Sequence, residues 1–456
     1  MDQFNEIIGT LTGLIWGPWL IVTILGIGIY FTVRMKFLQV GKFKFTFQQT
    51  LGRIFDKDDD IEGEGTLTPF QAVTAALAST VGVGNIVGVA TALALGGPGA
   101  IFWMWFSAFF GMATKYAEIV LSIAYREKNE DGEFVGGPAF YMSKGLNSKL
   151  LAGIFSVAIA LACIGGNMVQ SNALVSNLME IVNIDAKFAA IILMVLVGLV
   201  SLGGITRLGK VTEKLVPMMA VLYLLGGIVV LAFNVTSIPA SLLLIVKGAF
   251  STVAFGGGAA GIAMSQAIRF GVARGLYSNE AGQGTAPIAH ASAKTDHPVR
   301  QGLWGITEVF IDTFMICTFT ALVIMTSGVI ESGASPAILT SLAFGTISPI
   351  LKTLVSITII LFAYSTIITL GYYGESVFNY IGGAKLGKFY RVAFIPFTFI
   401  GAVGGLTTIW SVLDILLGLA VIPNLIALVL LSPKVFELTR EFFDGYVDKG
   451  AARKVG

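Results

Sequence analysis

Apolar residues run along this chain in long blocks, at roughly 15–33, 69–94, 99–125, 151–179, 187–206, 214–234, 240–268, 301–327, 350–378, 391–409 and 411–432, with polar clusters between them. The hydrocarbon core of a bilayer needs about 20 such residues per helix, so the pattern predicts an all-α polytopic membrane protein of eleven spans. Lysine and arginine test that segmentation, because positive charge is retained in cytoplasmic connections. Twenty-five of the 29 basic residues fall in alternate connections: Arg34 to Lys57, Arg126 to Lys149, Arg207 to Lys214, Arg269 to Arg300, Lys385 to Arg391, and the tail from Lys434 onward. The expectation is an N-terminus outside and a C-terminus in the cytoplasm, in the cell membrane. A miscounted span would scramble the alternation.

With an extra N-terminal helix and cytoplasmic segment set aside (1–68), ten spans remain. They divide into two sets of five, 69–234 and 235–432, that begin on opposite sides of the membrane, followed by a cytoplasmic tail at 433–456. This permits an inverted repeat. The opening span of each set is interrupted by glycine: "STVGVGNIVG" (79–88) in the first and "STVAFGGGAAGIA" (251–263) in the second. Each interior glycine costs a helix roughly 1 kcal/mol against alanine, and an unpaired amide in hydrocarbon costs more. Paired interruptions at matching places are the best sequence pointer to a transporter's binding site. Where a membrane helix unwinds, its freed backbone groups must face protein, water or a solute. Amides at a half-helix N-terminus suit a carboxylate, and freed carbonyls suit a hard cation such as Na⁺. Asn85 would add a side-chain oxygen for that cation. In the second break only Phe255 is bulky among residues 254–261.

Composition narrows the class. Hydrophobic residues make up 55% and charged residues 12%, with a mean hydropathy of +0.83, against about 25% charged in soluble chains. A net charge of +2 without a basic block speaks against nucleic acid. No GxxxxGK[ST] loop is present, so no nucleotide is expected and energy must come from a gradient. An embedded enzyme would need paired carboxylates, an HExxH pair or an activated nucleophile, and the chain offers none of these. A channel is the nearer rival, but it has no need for two broken helices at opposed positions. Cys163 and Cys317 lie singly in apolar runs and read as small core residues. The N-terminus lacks the basic stretch of a cleaved signal and is expected to be retained.

Polar residues inside the blocks are candidates for function. In "LACIGGNMVQSNALV" (161–175), Asn167 and Gln170 share one helix face. Two amides at mid-membrane suit a cavity binding a substrate's charged ends, with Gln170 the better placed. Lys115 and Glu118 read as an ion pair near the interface, Asp312 as a proton or cation coupling residue, and His290 and His297 as structural.

The motif "VGVGNIVG", the stretch "ARGLYSNEAGQGTAPIAHASA" (273–293) and the "GGPAFYM" stretch (136–142) closely resemble the alanine or glycine:cation symporter family, over essentially the whole chain. That resemblance implies a fold similar to the bacterial leucine transporter, with five-plus-five inverted repeats. It also implies uptake of alanine and glycine coupled to Na⁺, or in some members to H⁺. Laid against that fold's unwound helices, Val83, Gly84 and Asn85 would meet the substrate, with Thr252, Phe255 and Gly256 opposite. Thr80, Asn85 and Thr252 match a first sodium site. The carbonyls of Ala78 and Val81 match a second, completed by Ser365, Thr366 and Thr369 from "LFAYSTIITLGYYGES" (361–376).

Overall fold

The computed structural model describes residues 10–54, 63–250, 260–404 and 407–446. The helices that frame the site are α1 (Pro18–Arg34), α2 (Pro69–Thr80), α3 (Val89–Gly96), α4 (Gly99–Ala124), α5 (Lys149–Ile181), α6 (Ala186–Ser201), α7 (Gly204–Phe233), α8 (Ile238–Phe250), α9 (Ala260–Asn279), α10 (Ala286–His290), α11 (Pro298–Val309), α12 (Thr318–Thr326), α13 (Pro349–Val403) and α14 (Thr407–Leu430). Among the described residues, six helices are long and apolar enough to cross a membrane. A seventh follows if α2 and the run Gly84–Gly96, bent by 48° at their break, form one span. The 55-residue α13 is interrupted at Gly382 and Gly383, the latter at φ +75, so it covers two of the expected apolar blocks. Its second half begins at Ala384 rather than near 391, because glycine, not the basic cluster, sets the turn.

Polarity is distributed as a bilayer requires. Leu150, Phe233 and Ile350 stand at least 72% exposed on the outside, while Lys115, Glu118, Glu308 and Asp312 are fully buried within. In hydrocarbon an outward leucine costs nothing, whereas an outward carboxylate has no partner.

The predicted interruption in 79–88 is present. A capping box starts α2: Thr68 Oγ1 accepts from Gln71 N–H at 3.1 Å, and Gln71 Oε1 accepts from Thr68 N–H at 3.2 Å. Helical geometry ends at Val81 (ψ 87) and resumes as a π-helical turn over Gly84–Gly88. The second break, with Thr252, Phe255 and Gly256, lies outside the described residues.

One expectation is corrected. The stretch 273–293 reads from sequence as a polar loop, yet α9 runs on to Asn279 and nearly every residue from 278 to 293 is buried. Its backbone pairs with the chain ahead of α2: Thr66 N–H donates to Ser292 O at 2.8 Å and Lys294 N–H to Leu67 O at 2.6 Å. A Cβ on Gly65 would lie 2.1 Å from the Lys294 nitrogen, so only glycine permits this approach. Arg126 clamps the same strands by donating to the carbonyls of Ala291, Ala293 and Glu64. Burial lowers its pKa to about 10, which still leaves it charged at neutral pH.

The alternation of basic residues puts the turn 129–132 and the turn around Glu331 on opposite sides of the membrane. Glu130 and Glu331 are both exposed, and the two native cysteines are buried. Glu130→Cys and Glu331→Cys proteins, labelled in intact cells with an impermeant maleimide, are expected to differ: only the Glu331 variant reacts before permeabilisation. Reaction of both would break the predicted topology.

Candidate functional site

The interrupted segment is held open by one side chain. Asn85 Oδ1 accepts from Gly82 N–H at 2.8 Å. Its Nδ2 donates to Asp312 Oδ1 at 2.6 Å and to Ser278 Oγ at 2.9 Å. Asp312 lies on a π-helical stretch, Phe310–Cys317, that joins α11 to α12, a distortion that tends to occur at functional positions. Its carboxylate also accepts from Ser278 Oγ and from Thr313 Oγ1 (2.8 Å). Among the described residues, no basic side chain forms an ion pair with it.

Beside the end of α2, Ala78 O faces the hydroxyls of Ser365 and Thr366 on α13, each at 3.1 Å. Each hydroxyl has a single proton, and Phe362 O lies as near, at 2.9 and 3.0 Å. Given to Phe362, those protons leave both oxygens free toward Ala78 O. A Cβ on Gly82 would sit 2.8 Å from Thr366 Oγ1, so the unwound backbone needs a glycine to lie against this hydroxyl. Thr369 stands apart, donating to Ser365 O one turn back in its own helix. Thr80 Oγ1 reaches Ala76 O and Glu308 Oε1 only at 3.4 Å. Val81, three residues beyond Ala78, is buried, its N–H bonded to Leu77 O.

Between these groups lies a cavity of about 60 Å³. One water needs about 10–15 Å³ of such space, so the cavity suits a very small solute. Its walls include Gly82 and Gly84 from the break, Gln170 and Gly166 from α5, Tyr277 from α9 and Thr366 from α13. The two amides of α5 part company here. Asn167 is fully committed: Nδ2 donates to Phe394 O (3.1 Å), while Oδ1 accepts from Ser171 (3.0 Å) and Thr398 (3.1 Å). It ties α5 to α13. Gln170 lines the cavity, and its buried Oε1 has no partner among the described residues.

Sequence reasoning missed Glu280. It follows α9 at φ +56, its side chain enters the cavity wall, and it accepts from Ser79 Oγ and Thr285 Oγ1, both at 2.6 Å. The only signal was an acid set among Asn279, Gly282 and Gln283 in a stretch too poor in charge to be a solvated loop.

The buried charges pair differently from expectation. Lys115 meets Glu308 at 2.6 Å, not Glu118, and donates a second bond to Asn279 O at 2.7 Å. Glu118 instead accepts from Asn424 Nδ2 (2.6 Å) and Gly282 N–H (3.2 Å). The i,i+3 spacing puts both residues of α4 on one interior face, and α11 there brings a carboxylate nearer to the ammonium. His290, which reads from sequence as structural, lies 3.1 Å from Glu308 Oε2, with Gln301 at its other ring nitrogen (2.8 Å). Burial holds its pKa below the ordinary histidine range, despite that neighbour.

The bend between α2 and the run Gly84–Gly96, a broken-helix cavity and buried polar linkages are features of a secondary transporter, and solved structures share the architecture. The transporter MhsT in complex with L-phenylalanine superposes with a TM-score of 0.58 at 14% identity, covering 81% of this chain and 90% of that one. A Na⁺-coupled sialic acid symporter does so at 0.55 and 14%, covering 90% and 83%. At that identity the likeness concerns fold: this is the leucine-transporter class of all-α membrane proteins. Sequence identifies the family. The chain matches the sodium:alanine symporter family over residues 1–454 and belongs to it. The transporter YflA of Bacillus subtilis is 46% identical over 450 residues, 97% of this chain and 94% of the relative. The sodium/alanine symporter AgcS of Methanococcus maripaludis is 43% identical over 449 residues, 96% and 97% of the two chains. The probable sodium/glutamine symporter GlnT of Bacillus subtilis is 39% identical over 447 residues, 97% and 91%. The protein is a multi-pass membrane transporter and not an enzyme.

Breaking a buried pair from one side leaves a bare charge and costs about 3–5 kcal/mol. Lys115→Met is therefore expected to lower the free energy of unfolding by that order, and Lys115→Met/Glu308→Gln to recover most of it. Unfolding of the purified variants in detergent checks this. Equal stability of the single and double variants would show that the pair is not the source of the loss.

Proposed function

We propose that this protein couples uptake of alanine and glycine to an inward Na⁺ gradient by alternating access, through eleven spans arranged as inverted repeats at 69–234 and 235–432. Its N-terminus would face outside and its C-terminus the cytoplasm. The observation that carries the reading is the meeting of Ala78 O with Ser365 Oγ and Thr366 Oγ1 across the break, a set of hard oxygens suited to a small cation. Val81 O would complete that second cation site, with Thr369 backing it from the same helix. A first site would use Thr80, Asn85 and Thr252. Val83 and Gly84, at the start of the π turn, offer amides to the substrate carboxylate, and Gln170 offers an acceptor to its other end. Thr252, Phe255 and Gly256 would close the far side.

Size supports a small amino acid. Gly166 and Ala162 leave little wall, while Leu370 and Leu413 give a methyl group apolar contact. A cavity that admits alanine admits glycine. The names of relatives point the same way for alanine, whereas GlnT points to glutamine, for which 60 Å³ is too small in this conformation. Asp312, buried without an ion pair, favours one second reading: a proton could be the coupling ion. Uptake of labelled alanine and glycine into proteoliposomes under an imposed Na⁺ or H⁺ gradient separates the two. Accumulation driven by Na⁺ alone supports the first, and accumulation driven by H⁺ alone overturns it.

Thr366→Ala removes one oxygen from the cation set. The Na⁺ concentration for half-maximal uptake should rise about tenfold or more, while alanine affinity at saturating Na⁺ changes less. Unchanged Na⁺ dependence would remove Thr366 from the cation site.

The break and Gln170 make a further pair of tests. A Cβ on Gly84 meets Tyr277 at 3.4 Å, an ordinary contact, but the rest of a leucine would enter the cavity. Gly84→Leu should fold and bind no alanine. Gln170→Ala should weaken alanine by about 1.5–3 kcal/mol, the order of a hydrogen bond to a charged group. Asn167→Ala should instead lower the melting temperature and spare affinity. Titration calorimetry beside melting curves reads all three, and a folded Gly84→Leu protein that binds alanine normally would refute the site.

A further inference from the structure

Among the described residues, Glu280 is the single charged side chain on the cavity wall. The residue is buried, at 8% exposure, and among the described residues no lysine, arginine or histidine forms an ion pair with its carboxylate. The basic group on the same buried network, Lys115, is already bound to Glu308 Oε1 and Asn279 O. Ser79 and Thr285 each give one hydroxyl proton to a separate oxygen of Glu280. That fixes the carboxylate and leaves lone pairs on both oxygens, since an ionised carboxylate accepts about four bonds. A second acceptor on the same wall, Gln170 Oε1, is buried and has no hydrogen-bond partner among the described residues. A fixed anion and a spare carbonyl around one small space call for a compact group that only donates and carries positive charge. A primary ammonium has three N–H donors and no acceptor. Gly84 of the break lines the same cavity, and its amide suits a carboxylate.

We infer that Glu280, with Gln170, receives the α-ammonium of the substrate zwitterion and so selects amino acids over hydroxy acids of the same size. The inference rests on the alanine reading above and adds the orientation of the solute: carboxylate toward the break, ammonium toward the end of α9, methyl group toward Leu370 and Leu413. Ser79 and Thr285 are positioning residues that act through Glu280.

The test is alanine titration into the purified full chain at saturating Na⁺, with L-lactate as the analogue that carries a hydroxyl in place of the ammonium. Wild-type protein should bind alanine and reject lactate; wild type that binds no alanine overturns the parent reading, separately from this one. Glu280→Gln should weaken alanine about ten- to a hundredfold, the effect of losing a charge-assisted bond. It should narrow the preference for alanine over lactate by the same factor, with an unchanged Na⁺ concentration for half-maximal binding. A folded Glu280→Gln protein with wild-type alanine affinity overturns the inference. So does one in which only the Na⁺ requirement moves, because Glu280 would then serve the cation. Should the Gln variant not fold, Thr285→Ala decides the matter: it removes one donor that fixes Glu280 and keeps the charge. Alanine affinity should fall severalfold without a change in Na⁺ dependence. Unaltered alanine affinity in that variant overturns the inference.

Discussion

The amide of Asn85 is the joint on which this architecture turns. A helix broken in the membrane strands backbone groups that water cannot reach, and each stranded group costs free energy until it finds a partner. One asparagine resolves this twice over. Its oxygen takes the Gly82 N–H, which closes the break upon itself, and its nitrogen reaches Asp312 and Ser278, which fastens the break to the π stretch and to the end of α9. The unwound segment is thereby neither a loop nor a helix but a fixed ledge. Ala78 O is presented to α13 on one side of it, and Gly84 to the cavity on the other. Glycine at 82 is needed because the Thr366 hydroxyl lies where a side chain would begin.

Around that ledge the interior carries more negative than positive charge. Glu118, Glu280, Glu308 and Asp312 are all buried, and among the described residues Lys115 is the one fully buried lysine or arginine set among them. Glu308 is neutralised by contact with Lys115, and Glu118 is held by neutral donors. The remainder of the anionic character sits at Asp312 and Glu280, on either side of the ledge. Interior carboxylates of this kind in a low-dielectric medium attract cations or protons, whichever the medium supplies. A carrier of cations and zwitterions is a molecule in which such an imbalance has a use.

Much of this was legible in the sequence, for identifiable reasons. The break at 79–88 announced itself because glycine and asparagine are costly in a membrane helix. Ser365 and Thr366 were implied by the resemblance to the symporter family, and the structure puts both against Ala78. Asn167 and Gln170 share one helix face, and depth along it favours Gln170; the position of Phe394 and Thr398 on a distant helix, invisible in the spacing, is what commits Asn167 to packing. Lys115 and Glu118 misled because i,i+3 proximity is visible along the chain, whereas Glu308, nearly two hundred residues away, is not. Residues 280–293 misled most. Their polarity suggests solvent, but their polar groups are consumed by one another, by Ser79 and by the strand at 64–67.

That last pairing has a consequence for how the molecule is made. The segment 64–67 leaves the ribosome early, and its backbone partners at 292–295 come more than two hundred residues later. At a synthesis rate of about 5–20 residues per second, the wait is on the order of 10–50 s. Through that interval α2 is already capped and can be inserted, but the strand before it has nothing to pair with, and Arg126 has no carbonyls of 291 and 293 to grip. The first half of the chain therefore cannot be completed as a unit and then joined by the second. The face of the first half that carries 64–67 is finished by residues of the second half, so that insertion of the helices and closure of that face are separate events in the life of each chain.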